Sequence, residues 1–193
     1  MNSPLTRCAL TVTLLALAPL SVFAGEEKSI FDGKTLKGWK VERCEAEVKD
    51  GAILLKAGNG VVYHDKRYTD FVLDLEWKAL KKDNWDSGIY FRCELPKGKR
   101  PWPKRWQANM RKGQEGDVGG LKGATSKGLV KDGEWNHFQL SVIGSKASLV
   151  INGKPAWKAD GIKEKDGYII LQAEIPSGGQ FLFRNIRVKE VGK

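Results

Sequence analysis

Residues 69–95, TDFVLDLEWKALKKDNWDSGIYFRCEL, frame the reading of the whole chain, because two runs with a period of two flank a single polar turn. In the first run Phe71, Leu73, Leu75, Trp77 and Ala79 alternate with Val72, Asp74, Glu76 and Lys78, the pattern of a strand with one dry face. In the second, Ile89, Phe91, Cys93 and Leu95 make the dry face, and Tyr90, Arg92 and Glu94 line up on the other. Read as two paired strands, the runs bring Asp74 or Glu76 to the polar row of the second. A sheet face carrying a phenol, a guanidinium and carboxylates suits a polyhydroxylated ligand; a solvated face laced with weak ion pairs is the plainer alternative.

Upstream, WKVE, AEVKDG, AILLKAGNG and VVYH read as short β-prone pieces separated by Asp-Gly and Gly-Asn-Gly turns. Before them, IFDGKTLKGWK reads as an edge segment whose Trp39 packs onto the domain. Downstream, Pro96 to Lys131 breaks the pattern, with seven basic residues and no acidic one between Lys97 and Lys112, three prolines and a glycine-rich run. Only RWQANMR has strand character there, with Gln107 and Asn109 on one side and Trp106, Ala108 and Met110 on the other. Basic residues interleaved with Trp102 and Trp106 are compatible with a phosphate backbone. A solvated loop whose tryptophans pack or stack on sugar is the simpler reading, so no nucleic-acid partner is expected. Order returns at DGEWNHFQLSVIGSKASLVINGKPAWKADG, with a tight Asn152-Gly153 hairpin, and GYIILQAE and QFLFRNIRVKEV supply two further strands.

About twelve short strands and no helical period sustained over three turns predict an all-β fold, an antiparallel β-sandwich of the jelly-roll kind, with a core over about residues 29–191. The first 24 residues carry one basic residue, Arg7, then an apolar run from Cys8 to Val22 and a small residue at Ala24, the order of a secretory signal cut after Ala24. The expected product is an exported protein, periplasmic or extracellular, with no membrane span. It is a single domain of 193 − 24 = 169 residues, 25–193. Its formal charge is +9, the +10 of the whole chain less Arg7. Cys44 and Cys93 remain after cleavage and are equally readable as a disulfide or as free thiols. His64 and His137 stand far apart with no ligand-spaced carboxylates, so a transition-metal site is not expected; a Ca²⁺ held by loop carbonyls and carboxylates would leave no such signature. His137 reads as capping a strand entry, and His64 has no visible partner.

Taken in order, FDGKTLKGW, DSGIYFR at 86–92, WQ at 106–107, GEWNHFQLSV at 133–142, INGKPAW at 151–157, ILQAE and FRNIRVKE resemble the 3-keto-disaccharide hydrolase family, also described as 3-keto-glucoside lyases and hydratases. The resemblance spans nearly all of the chain after the signal. It implies a concanavalin-like jelly roll and cleavage of a glycosidic bond in a sugar oxidised at C3, which needs a base for the C2 proton, a donor at the ketone oxygen and an acid for the leaving oxygen. Motif by motif it implies Glu174 as the base, with Asp117 as second choice. Arg92, Gln107 and Gln172 would line the pocket, and Tyr90, Glu94 and Trp106 would contribute to sugar binding beside Trp85 and Trp102. The chain departs from the family's usual pattern at Arg105, where many members carry glutamate, and at Glu174, where many carry histidine. The alternative function is a non-catalytic carbohydrate-binding module of the same fold. Oligomeric state is not readable from the sequence.

Overall fold

The structure is a computed structural model and describes residues 25–192; the segment read as a signal lies outside the described residues. Among those residues there are eleven strands and no helix: β1 (Glu27–Ser29), β2 (Trp39–Lys49), β3 (Ala52–His64), β4 (Phe71–Ala79), β5 (Gly88–Cys93), β6 (Gln107–Asn109), β7 (Asn136–Ile143), β8 (Lys146–Ile151), β9 (Lys154–Asp160), β10 (Tyr168–Ile175) and β11 (Phe181–Glu190). No helix long and apolar enough to cross a membrane occurs there.

All pairings are antiparallel and follow one path, β6-β5-β10-β3-β11-β4-β7-β8-β9, with β2 against β3 and β1 against β11. The path turns at β3. Its Gly58–Tyr63 half pairs with β10, its Ile53–Leu55 half pairs with β11, and β2 runs along its other edge. Ile89, Phe91 and Leu171 from one arm and Leu73, Leu75, Leu140 and Leu149 from the other share a single apolar core, so the path is curled into two layers. Asp50-Gly51 and Asn152-Gly153, all at positive φ, make the tight turns β2-β3 and β8-β9. Trp39 is buried and donates its indole N–H to the Ile30 carbonyl at 2.7 Å, as the edge-segment reading requires.

Three expectations are corrected. The two runs within 69–95 do not pair with each other: β4 pairs with β7 and β11, and β5 with β6 and β10, so residues 80–87 carry the chain from one layer to the other. Gly58-Asn59-Gly60 is not a turn, because β3 runs through it; the glycines lie against a bulge of β2 at Arg43, and a Cβ on Gly60 would meet the Glu42 carbonyl oxygen at 2.1 Å. The polar row Tyr90, Arg92, Glu94 does not exist either. Arg92 has φ of 46°, and two residues of β5 face one of β10 there, a bulge that reverses the alternation. Cys93 therefore joins Tyr90, Val61 and Ile170 on the outer face, and Arg92 turns to the other side.

Candidate active site

Alternation puts Ile169, Leu171 and Ala173 of β10 into the core and Gln172 and Glu174 on the outer face. On β5, Ile89 and Phe91 are core and Gly88 and Tyr90 are outer; on β6, Ala108 is core and Gln107 outer. The outer row therefore holds Gln107, Tyr90, Gln172 and Glu174 within three adjacent strands. The side chains connect. Gln107 donates Nε2–H to Gln172 Oε1, Gln172 donates Nε2–H to Glu174 Oε2 at 2.8 Å, and Ser177 donates its hydroxyl to Glu174 Oε1 at 3.3 Å. Gly88 makes this relay possible: a Cβ there would lie 2.0 Å from Gln107 Nε2, in the path by which the amide crosses β5 to reach β10.

Beside Glu174 stands Asp86, the first residue of the DSGIYFR motif, tied by its backbone N–H to the Gly178 carbonyl at 2.9 Å. The two carboxylates line one cavity of about 310 Å³ with Trp85, Arg111 and Ser177. Burial, and then the neighbouring Glu174 charge, push the Asp86 carboxyl up to about 6, against the pull of Arg111 at 3.9 Å. Tyr90 is 5% exposed and its hydroxyl has no hydrogen-bond partner among the described residues. Burial, with the nearby carboxylates, raises its pKa far enough to keep the phenol protonated at any working pH.

A sequence model of the 3-keto-alpha-glucoside-1,2-lyase-like domain matches residues 26–189. The chain belongs to that family. No curated protein sequence matches it. Among solved structures, a chain from Parabacteroides distasonis, provisionally named a glycosyl hydrolase, superposes with a TM-score of 0.68 at 19% identity over 86% of this chain and all of its own. Carbohydrate-binding module CBM66 from Bacillus subtilis gives 0.62 at 13%, over 79% of this chain and 96% of its own. SCLam, a non-specific endo-beta-1,3(4)-glucanase, gives 0.63 at 10%, over 89% and 94%. At these identities the likeness is one of fold, and the fold of the lyase-like domain is a jelly-roll sandwich.

Other residues implied by the resemblance lie elsewhere in the domain. The Arg92 guanidinium is 2% exposed and donates to the carbonyls of Thr69 (2.5 Å), Gly144 (2.9 Å) and Glu164 (2.8 Å) and to Asp70 Oδ1 (2.5 Å), so it ties three loops together at the end of the sandwich away from Glu174. Glu94 is held by Arg67 through two bonds of 3.0 and 2.8 Å, and Arg67 also grips Asp166. Trp106 is 3% exposed in the core with its indole N–H on Glu164, which removes it as a stacking platform. Asp117 Oδ1 accepts the Ser126 backbone N–H at 2.8 Å and braces the glycine-rich loop rather than joining Glu174. Trp102 stays with the outer face of β10, donating Nε1–H to the Ala173 carbonyl at 2.9 Å and packing against the cluster of Val61, Tyr90, Cys93 and Ile170.

The histidines also have partners. His137 Nε2 meets Asp74 Oδ2 at 2.7 Å from within β7, and His64 Nδ1 meets the Tyr68 hydroxyl at 3.0 Å. Cys44 and Cys93 are free thiols, and burial lifts Cys93 to about 12. Among the described residues no three His, Cys, Asp or Glu side chains converge as metal ligands. Asp86 is the functional candidate that sequence reasoning passed over. It sits inside a quoted motif, but its neighbour Glu174 is 174 − 86 = 88 residues away, and nothing local marks the pair.

Proposed function

We propose that this domain is an exported enzyme that cleaves the glycosidic bond of 3-keto-glucosides, with Glu174 as base and Asp86 as acid. The observation that carries the reading is the carboxylate pair in one small cavity, on the same outer face as the partnerless Tyr90 phenol, which feels both charges. A C3 ketone acidifies the C2 proton, so an ordinary carboxylate suffices to remove it. Glu174 takes that proton, and the electron pair moves into a C2–C3 enolate whose oxygen needs a donor; the Tyr90 hydroxyl is available for it. The enolate re-forms the ketone and a C1–C2 double bond as the C1–O bond breaks. The leaving oxygen takes the proton of Asp86, whose raised pKa keeps part of it protonated near neutrality. Water then adds across C1–C2, hydroxyl to C1 and proton to C2. Gln107 and Gln172 fix the Glu174 carboxylate in one orientation, and Ser177 closes its second oxygen.

Turnover of a 3-keto-glucoside by the purified protein, with and without added divalent cation, is the test. Glu174→Gln preserves size and hydrogen bonding but removes the base, so kcat is expected to drop by about a hundredfold or more while sugar binding survives. Wild-type protein that binds such sugars and never turns one over makes the domain a carbohydrate-binding module instead. Turnover undiminished in Glu174→Gln removes Glu174 from the mechanism.

A further inference from the structure

The loop after β5 encloses a second cavity of about 490 Å³, lined by Leu95, Pro96, Trp102 and Pro103 and by Lys97, Arg100, Lys104 and Arg105. Two carboxylates border it, and both are already engaged. Glu94 is bound by Arg67, and Glu164 accepts from Trp106 and pairs with Arg105 at 3.8 Å. Lys97, Arg100 and Lys104 make no ion pair or side-chain hydrogen bond among the described residues.

The loop that carries them is held in place. Arg43, on the β2 bulge, donates to the Gly98 carbonyl at 2.7 Å and to the Arg100 carbonyl at 2.9 Å. Trp102 lines this cavity and is anchored by its N–H to the carbonyl of Ala173, the residue before Glu174 on β10, and the Arg100 charge is felt at the Tyr90 phenol. Three cations without an ion pair, on a fixed backbone around an apolar floor bordered by Trp102, leave the cavity net positive, with four cations against the two engaged carboxylates Glu94 and Glu164.

We propose that this cavity is an anion subsite, and that the preferred ligand is an acidic glycoside whose carboxylate or sulfate ester, on the unit next to the cleaved bond, is bound by Lys97, Arg100 and Lys104. This rests on the carbohydrate reading of the Glu174 site and adds the substrate class to it. Trp102 would carry the face of the charged unit while its own N–H remains on β10.

Calorimetry with unoxidised disaccharides, which lack the ketone and are not turned over, separates the possibilities. The probes are cellobiose, glucuronosyl-(1→4)-glucose and cellobiose sulfated at O6 of the non-reducing unit. At low salt at least one acidic form is expected to bind about tenfold more tightly than cellobiose, and the advantage to shrink as salt is raised. Which acidic form binds better identifies the anion. In the combined variant Lys97→Ala, Arg100→Ala, Lys104→Ala, cellobiose affinity should hold within about twofold while the preference for acid disappears, since each removed contact is one charge-assisted bond. Equal binding of all three sugars by wild type, or a preference that survives the triple variant, overturns the subsite and leaves the carbohydrate reading standing. Failure to bind any of the three overturns the subsite together with the reading it rests on.

Discussion

On the outer face of β4, β7 and β11, Asp74 receives Arg187 at 2.5 Å and His137 at 2.7 Å, and Glu76 receives Arg184 at 2.6 Å, with Arg184 stacked 3.9 Å from the Trp135 ring. On the outer face of β5, β6 and β10, Glu174 makes no ion pair among the described residues, stands beside a second carboxylate, and is held by an amide and a hydroxyl. Both faces alternate in the same way and both are laid on the same core. The first arranges its charges to cancel, each carboxylate directly opposite its cation in the strand register, as Arg187 is to Asp74 and Arg184 to Glu76. The second keeps like charges together and leaves a phenol without a partner. Such an arrangement works against folding stability, as groups kept for binding or catalysis commonly do. Charged residues in a sheet are thus no guide to a site until their partners are known.

The largest expected effect lies at Arg92, which belongs to neither face and ties three loops together. Arg92→Ala takes the buried guanidinium from the part-buried carbonyls of Thr69, Gly144 and Glu164 and leaves Asp70 with only the Gly144 N–H, and should cost roughly 3 kcal/mol or more of stability, while the molecules that remain folded keep their turnover. Chemical denaturation alongside kcat per folded molecule checks this; lost turnover at unchanged stability would put Arg92 in the site after all.

On the paired face, Asp74→Asn removes the carboxylate charge and one of the two oxygens that meet Arg187 and His137, and should cost about 2 kcal/mol. Burial alone would raise the Asp74 pKa, but the bonds from Arg187 and His137 outweigh it and hold the carboxyl below its ordinary value. Its stabilisation is therefore full above the unfolded value of 3.8 and lost as the pH falls below that, so the wild-type acid limb should flatten in the variant.

The smallest effect has the opposite sign. Asp86→Asn removes one of two like charges, and melting at pH 7 should show stability unchanged or raised by up to about 1 kcal/mol. Asp86 is raised in the folded state to about 6, so its contribution to stability is complete below 3.8 and lost as the pH climbs through 6. Wild-type kcat should fall over that same alkaline passage, and the Asn variant should lack the inflection. A clear destabilisation by Asp86→Asn at pH 7 would erase the contrast between the faces.

Much of the layer structure was legible. Phe71, Leu73, Leu75, Trp77 and Ala79 are all buried as their alternation requires, and Gln107 stands opposite Ala108 and Met110 as RWQANMR indicates. Period two reports which face is dry and says nothing about the neighbouring strand, which is why β4 and β5 read as partners although they lie in different layers. The bulge at Arg92 was illegible for a related reason: an arginine at positive φ carries no sequence mark, and one extra residue moves every side chain beyond it to the other face. Glu174, Gln172 and Gln107 were accessible through their motifs, and the structure adds the contacts between them. Asp86 and the unpaired cations of the loop after β5 depend on three-dimensional neighbours and on the lack of them, which no local pattern records.

The double role of β3 also bears on how the chain acquires its shape in time. One edge of β3 is satisfied at once by β2 through the Asp50-Gly51 turn, but the other faces β10 and β11, and the Val61 to Gln172 pairing spans 172 − 61 = 111 residues. Contacts of such separation form slowly, because the loop entropy is spent before any bond rewards it. Until β10 and β11 arrive, β3 presents an open, largely apolar edge, the kind that pairs with other chains. The last strands to be made are the ones that seal the first, so a chain halted before them would hold its hairpins and still be unable to join its two layers.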